Sequence, residues 1–186
     1  MIIGCTGNYR KKEFYNILEK LHNLFKKLNV RFLISSDLEK NQNFNIPADY
    51  KIMEFSKIIQ ECDILFAIGG DGTILSTVRR LGRISKPIMG IHIGGLGFLS
   101  DCTENNLGST IRNILNNKYV ISERMLLELQ ICSKNKNKKQ IWALNDIVIE
   151  QGSSARLLKV EVEVSNHYLN TFEGDGGIFS TPTGST

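Results

Sequence analysis

The residues best suited to chemistry form a glycine-rich segment, residues 69–73 (Gly-Gly-Asp-Gly-Thr), directly after a continuous apolar run. Glycines at the end of a strand allow a ligand to approach the backbone closely. A helix that follows them offers free N–H groups and a positive dipole end, which favour phosphate. A carboxylate among such amides repels phosphate, so Asp71 indicates either a bound metal ion or a catalytic role. The alternative is a tight turn in which Asp71 only caps the helix.

Two common nucleotide-binding signatures are excluded. No GxxxxGK[ST] loop occurs in the chain, and Leu75 stands where the dinucleotide fingerprint that begins at Gly70 needs its third glycine. The four cysteines and three histidines are scattered without the spacing of metal ligands or redox pairs. The sequence therefore predicts neither a zinc site nor a redox centre, and it identifies no metal-ligating residue.

The composition narrows the class of protein. A net charge of +4, with 41% hydrophobic and 23% charged residues, is typical of a globular protein and suits a small anionic ligand. The basic run at 134–139 alternates with Asn and lacks interleaved aromatic residues, so we expect no nucleic-acid partner. No apolar run approaches the roughly 18 residues needed to cross a bilayer. With no signal-peptide pattern and with scattered thiols, we expect a cytoplasmic protein without a membrane partner.

The first part of the chain alternates between strand and helix patterns. Apolar runs at 1–5, 30–34, 63–68 and 87–91 predict strands, and three- and four-residue spacing predicts helices at 14–28, 51–61, 74–81 and 104–116. Residues 35–48 predict a loop. Continuous apolar strands alternating with helices indicate a parallel sheet covered on both faces, with ligands at the carboxyl ends of the strands. The glycine segments at 69–73 and 94–97 both follow such ends.

After residue 119 the pattern changes to short strands. Strands are predicted at 124–132, 141–150, 155–165 and 178–181, and a hairpin turn at 133–140. We therefore expect two domains. Residues 1–118 form an α/β domain with a Rossmann-like parallel sheet, and residues 119–186 begin an all-β antiparallel domain.

Four segments together resemble the motifs of the NAD kinase family. Residues 69–73 are similar to a signature that this family shares with diacylglycerol and sphingosine kinases and with phosphofructokinases. Residues 90–101, 144–149 and 174–186 resemble the second, third and fourth NAD-kinase motifs, in the family's order and approximate spacing. The resemblance implies transfer of a phosphoryl group from ATP to the 2′-hydroxyl of the adenosine ribose of NAD, giving NADP. It also implies a divalent metal, expected to be Mg²⁺, an active-site cleft between two domains, and a homodimer or homotetramer.

The resemblance also assigns roles to individual residues. Asp71 is the implied catalytic carboxylate, which accepts the proton of the 2′-hydroxyl or holds that hydroxyl in line for transfer. Asn145 offers both donors and an acceptor to an adenine edge, and Asp146 accepts from ribose hydroxyls. The implied NAD and nucleotide contacts are Gly72, Phe98, Leu99, Asn145, Asp146, Arg156, Asp175 and Thr186.

The sequence departs from the family pattern at three places. His92 stands where the family usually has Asn, and we assign it no role. Asp146 stands where Glu is common, which shortens the side chain but keeps its charge. The family continues beyond Thr186 with an Ala-Tyr pair and further strands. We therefore expect this chain to be a piece of a longer protein, lacking the closing strands of its β domain.

Two alternative functions remain open. A lipid kinase of the diacylglycerol or sphingosine type shares the first motif, although residues 90–101 differ from its Gly-Thr-x-Asn-Asp pattern and the chain has no membrane-binding amphipathic helix. A non-catalytic NAD-binding module is the other alternative. Asp71 argues against it, because a pure binding site has little use for a carboxylate beside phosphates. The sequence leaves open whether polyphosphate replaces ATP and whether NADH is accepted.

Overall fold

A five-stranded parallel sheet of order β3-β2-β1-β4-β5 organises the first of two units in the computed structural model, Met1–Ser122. Its strands are β1 (Ile2–Gly7), β2 (Arg31–Ser35), β3 (Ile52–Met53), β4 (Ile64–Gly69) and β5 (Ile88–His92). The structure describes residues 1–40, 46–94, 97–100, 102–133, 136–152 and 157–185. All four pairings in the sheet are parallel, so the carboxyl ends of its strands lie along one edge.

Helices connect these strands and cover the sheet. They are α1 (Lys12–Lys27), α2 (Phe55–Glu61), α3 (Asp71–Leu81) and α4 (Leu107–Leu115), with a 3₁₀ turn at Ser36–Lys40. Side chains alternate between the two faces of a strand. Phe66 accordingly packs in one cluster with Leu21 of α1 and Ile111 of α4, whereas Leu65 packs in a second cluster with Ile58 of α2. The prediction of a parallel sheet covered on both faces is confirmed.

The segment at 51–61, predicted as one helix, contains two elements. Ile52 and Met53 form the short edge strand β3, pairing with Ile34 and Ser35, and only Phe55–Glu61 is helical. The available edge of β2 overrides the weak helical pattern of the first residues. Helix α4 begins at Leu107, three positions later than the predicted 104. Residues 36–40 of the predicted loop form the 3₁₀ turn, and residues 41–45 lie outside the described residues.

The second unit, Glu123–Thr186, contains three antiparallel strand pairs. Strand β6 (Leu127–Ser133) pairs with β7 (Lys136–Ala143), β8 (Asp146–Glu150) with β11 (Gly176–Ser180), and β9 (Leu158–Val164) with β10 (His167–Gly174). The prediction of antiparallel β structure after the α/β part is confirmed.

Three local predictions in this unit are wrong. The predicted strand at 141–150 is interrupted at Leu144 and Asn145, so it belongs to two strands. The predicted turn at 133–140 mostly forms β7, and residues 134–135 lie outside the described part of the chain. Strand β10 is missing from the prediction because its sequence is largely polar. Ser165 and Asn166 both have positive φ, as a two-residue hairpin turn of type I′ requires, so this dipeptide after an alternating run is the signal for β10.

No helix in the parts of the chain that the structure describes is both long and apolar enough to cross a membrane.

Candidate functional site

Asp71 is the first residue of α3, directly beyond the carboxyl end of β4. Its carboxylate accepts two main-chain hydrogen bonds from the turn that follows β5. The N–H of Phe98 donates to Oδ2 at 2.9 Å and the N–H of Leu99 donates to Oδ1 at 3.2 Å. The N-cap residue of α3 is Gly70, and no side-chain capping bond forms there. Asp71 therefore holds a neighbouring turn in place instead of capping its own helix.

Glycines allow the backbone to pass close to this carboxylate. A Cβ on Gly97 would lie 2.2 Å from Oδ1 of Asp71, and a Cβ on Gly69 would lie 2.1 Å from Oγ1 of Thr73. Gly72 differs, because nothing lies within 4 Å of the position that its Cβ would occupy. Gly97 thus permits tight packing against Asp71, Gly69 permits it against Thr73, and Gly72 leaves the first turn of α3 open to a ligand.

His92, the residue at the family's usual Asn position, is buried at the end of β5. Its Nδ1 lies 3.0 Å from Oγ of Ser100, and its main-chain N–H donates to the carbonyl oxygen of Cys102 at 2.7 Å. These bonds tie both ends of the turn after β5 together. His92 therefore has a structural role that accounts for its burial.

The side chains of Phe98 and Leu99 differ in exposure. Phe98 is 98% exposed, whereas Leu99 is half-buried. The resemblance implies that the side chains of both residues contact NAD. The structure shows a further contribution, since the main-chain amides of both residues bind Asp71.

In the second unit, the segment after β11 folds back over the break between β7 and β8. The N–H of Thr181 donates to the carbonyl oxygen of Asn145 at 2.8 Å, and Oγ1 of Thr181 donates to the carbonyl oxygen of Leu144 at 2.5 Å. That same Oγ1 accepts the N–H of Gly184 at 3.2 Å. A Cβ on Gly184 would lie 2.4 Å from the carbonyl oxygen of Asn145. The structure therefore brings the third and fourth sequence motifs into direct contact.

The side chain of Asn145 carries an unsatisfied acceptor. Its Oδ1 is buried and has no hydrogen-bond partner in the part of the chain that the structure describes. Leaving a buried acceptor unpaired costs about 1–3 kcal/mol, so such atoms in native proteins call for an explanation. An incoming N–H donor, such as an amino group on a purine, satisfies this atom.

The remaining predicted contacts are dispersed. Asp146 begins β8 and pairs with Ser180, whereas Asp175 precedes Gly176, which pairs with Glu150 at the other end of the same ladder. The two ends are roughly 14 Å apart at about 3.4 Å per residue. Asp175 therefore does not join Asn145 and Asp146 in one cluster. The predicted contacts Arg156 and Thr186 lie outside the described residues.

Comparisons with known proteins decide the family. Residues 3–119 match the model described as the ATP-NAD kinase N-terminal domain, and residues 144–186 match that of the ATP-NAD kinase C-terminal domain. The chain belongs to the ATP-NAD kinase family. It is 38% identical over 168 residues to the NAD kinase of Sulfurimonas denitrificans, covering 90% of this chain and 57% of that protein. It is 40% identical over 129 residues to the NAD kinase of Geotalea daltonii, covering 69% and 45%.

A solved structure agrees with the fold. The chain is similar to yeast NADH kinase complexed with NADH, with a TM-score of 0.88 and 24% identity, over 100% of this chain and 59% of the yeast chain. At this identity the likeness shows the fold. The chain spans about half the length of the curated relatives it matches.

The sequence of this ATP-NAD kinase family member did not reveal the main-chain groups that surround Asp71. The amides of Phe98 and Leu99 and the close approach of Gly97 leave no trace in side-chain type. A second glycine segment at a strand end was the available signal, since such segments bring main chain close to another group. Threonine is a common turn residue and carries no distinctive signal, yet the hydroxyl of Thr181 joins two motifs in the structure.

A resident metal site is not built from side chains in the described ranges, where no group of three or more His, Cys, Asp or Glu residues is placed to hold an ion. Both carboxylate oxygens of Asp71 already accept amide hydrogens. Mg²⁺ is commonly bound through one or two carboxylates together with the phosphates of its substrate.

Thr181→Val is expected to destabilise the second unit by about 1–3 kcal/mol, because the change removes a buried hydroxyl that donates to one motif and accepts from the other. The measurement is the midpoint of urea unfolding followed by the fluorescence of Trp142, the single tryptophan, which lies in β7 of the same unit. Ser185→Ala, which removes an exposed hydroxyl 3.4 Å from the carbonyl oxygen of Pro182, is the control and should shift the midpoint little. An unchanged midpoint for Thr181→Val contradicts the expectation.

Proposed function

We propose that the protein transfers the terminal phosphoryl group of ATP to the 2′-hydroxyl of the adenosine ribose of NAD, giving NADP. The observation that carries this proposal is the carboxylate of Asp71, fixed by two main-chain amides at the first turn of α3. Each carboxylate oxygen can accept more than one hydrogen bond, so both retain acceptor capacity. Asp71 can therefore accept the proton of the attacking hydroxyl or orient it in line with the phosphoryl group.

The first turn of α3 is suited to neutralise the negative charge of the phosphoryl group. The first N–H groups of any α-helix lack intrahelical partners, and the helix dipole makes this end positive. The open space over Gly72 gives a phosphate access to these groups. Phosphoryl transfer depends mainly on placing the reacting atoms and neutralising charge. The amides of α3 contribute to neutralising the charge, and Asp71 contributes to placing the reacting atoms.

We assign the binding of NAD, the phosphoryl acceptor, to residues of the family motifs. The buried Oδ1 of Asn145 supports a contact with the adenine amino group, and the exposed Asp146 beside it supports a contact with ribose hydroxyls. We further assign to NAD or nucleotide binding the remaining positions of the family motifs, namely Gly72, Phe98, Leu99, Arg156, Asp175 and Thr186. The division into domains at residues 1–118 and 119–186 belongs to the same proposal.

The metal, the assembly and the compartment are proposed from the family resemblance. We propose that ATP reacts as its magnesium complex, so that Mg²⁺ enters as part of the substrate. This is consistent with the donor set of the described residues. A homodimer or homotetramer in the cytoplasm is the proposed working form.

The test is an NADP assay. The protein is incubated with magnesium, ATP and NAD, and NADP is followed with an NADP-specific dehydrogenase. NADH and a diacylglycerol replace NAD in parallel reactions, and polyphosphate replaces ATP in another. NADP formation without lipid phosphorylation is the expected result. Phosphorylated lipid without NADP would establish the lipid-kinase alternative, and NAD binding without any turnover would establish a non-catalytic module.

A further inference from the structure

The side chain of Lys11 reaches across the end of the strand that carries the Asp71 segment. Lys11 lies in the connection between β1 and α1, and its Nζ is 4.0 Å from the position that a Cβ would occupy on Gly94, in the turn after β5. In the sheet, β4 lies between β1 and β5. The Lys11 ammonium group is therefore placed over the carboxyl end of β4, where residues 69–73 begin.

The main chain at Lys11 is fixed to that same strand end. The N–H of Asn8 donates to the carbonyl oxygen of Ile68 at 2.9 Å, and the N–H of Lys11 donates to the carbonyl oxygen of Asn8 at 3.1 Å. A Cβ on Gly7 would lie 2.4 Å from the carbonyl oxygen of Ile68, so the two segments are in close contact. The turn thus gives the lysine a rigid base, which lowers the entropic cost of binding a ligand there.

The charge of Lys11 has no partner within the described residues. None of the ion pairs there involves its ammonium group, although six other ion pairs use lysines, arginines or His22. Meanwhile Asp71 places a negative charge beside the first turn of α3, where a phosphate must bind for the proposed reaction. A compact ammonium group is well suited to offset that repulsion, as lysines do in other phosphoryl-transfer sites.

Resting on the proposed function, we propose that Lys11 binds the polyphosphate chain of ATP at the carboxyl ends of β1 and β4. The donor is favoured over the diphosphate of NAD for a geometric reason. Lys11 and Asp71 lie beside the same turn, Lys11 near Gly94 and Asp71 near Gly97. Asp71 activates the 2′-hydroxyl of NAD, so the phosphate nearest to it is the one that ATP transfers. The diphosphate of NAD is attached at the opposite end of the same ribose.

The kinetic test replaces Lys11 with Met, which keeps most of the apolar stem of the side chain and removes its charge. The KM for ATP is expected to rise about 10- to 100-fold, the size of a charge-assisted hydrogen bond, while the KM for NAD changes less than about twofold. Lys11→Arg should restore most of the ATP affinity, which a merely structural role would not require. Lys12→Met, at the exposed first residue of α1, is the matched control and should behave as the unmodified protein.

A binding measurement separates this proposal from the proposed function. Calorimetric titration with magnesium–ATP and with inorganic tripolyphosphate needs no turnover. If the protein makes no NADP but binds both ligands, and Lys11→Met and Lys11→Gln weaken both, the proposed function fails and the assignment of Lys11 holds. Equal affinity of these variants and the unmodified protein for both ligands overturns the assignment. A selective rise in the KM for NAD overturns it as well.

Discussion

Asp71→Asn is expected to lower the rate of NADP formation by about 10²- to 10⁴-fold, the contribution typical of a positioned general base. The substitution removes the charge that accepts or orients the 2′-hydroxyl proton, and it leaves the size of the side chain nearly unchanged. NAD affinity should fall little, because the proposed adenine contact at Asn145 does not depend on this carboxylate. The measurement combines the rate of NADP formation with the Kd for NAD.

The control for this change must separate chemistry from folding. The carboxylate of Asp71 accepts N–H groups at both oxygens, and an Asn can accept at only one, so some loosening of the turn is expected. Asp63→Asn is a matched substitution, since the carboxylate of Asp63 accepts the N–H of Ile2 at 2.6 Å just before the amino end of β4. Asp63→Asn should retain activity. Normal turnover by Asp71→Asn would refute the proposed role of the carboxylate.

Gly97→Ala is expected to reduce kcat by about 10²-fold, which is the effect of displacing a catalytic group by roughly 1 Å. The added Cβ would lie 2.2 Å from Oδ1 and 2.7 Å from Cγ of Asp71, so the carboxylate or the turn must move. The kinetic constants are measured together with the thermal unfolding temperature, because the displacement should cost more activity than stability.

Gly108→Ala is the glycine control for this experiment. Gly108 lies within α4, and nothing lies within 4 Å of the position of its added Cβ. A change from Gly to Ala in a helix with free space stabilises a protein by about 0.5–1 kcal/mol, and activity should stay the same. If Gly97→Ala kept full kcat, the position of the carboxylate seen in this structure would not be the one that matters for turnover.

The α/β fold was predictable because burial on both faces of a sheet produces uninterrupted apolar runs. Every residue of β4 is buried, and its sequence reads as one such run. Strand β3 was not predictable in the same way, since two residues at a sheet edge make no period. Strand β10 is exposed along most of its length, so its sequence carries little of the apolar pattern on which strand prediction depends.

The residues of the candidate site also divide into those that the sequence indicated and those that it did not. Asp71 stood out because a carboxylate between glycines is an unusual residue type for that place, whereas Asn145 was implied by the resemblance of residues 144–149 to a family motif. The amides that hold Asp71 belong to the main chain, which every residue has, so the sequence contains no mark of them. Lys11 was invisible for another reason. Its neighbours Arg10 and Lys12 make the segment look like an ordinary charged turn, and only the fold places one of the three beside Gly94.

Because main-chain amides hold the carboxylate of Asp71, the side chains at positions 98 and 99 can change without loss of these hydrogen bonds. The N–H groups at positions 98 and 99 are available from any residue except proline, so mutation of these side chains need not disturb Asp71. Phe98 is 98% exposed and makes little packing contribution of its own. If Phe98 lies at the NAD site as proposed, preference between related dinucleotides can change through position 98 while the contacts that hold Asp71 stay constant. For the same reason, a saturation library at this codon is a practical starting point for redesigning acceptor choice.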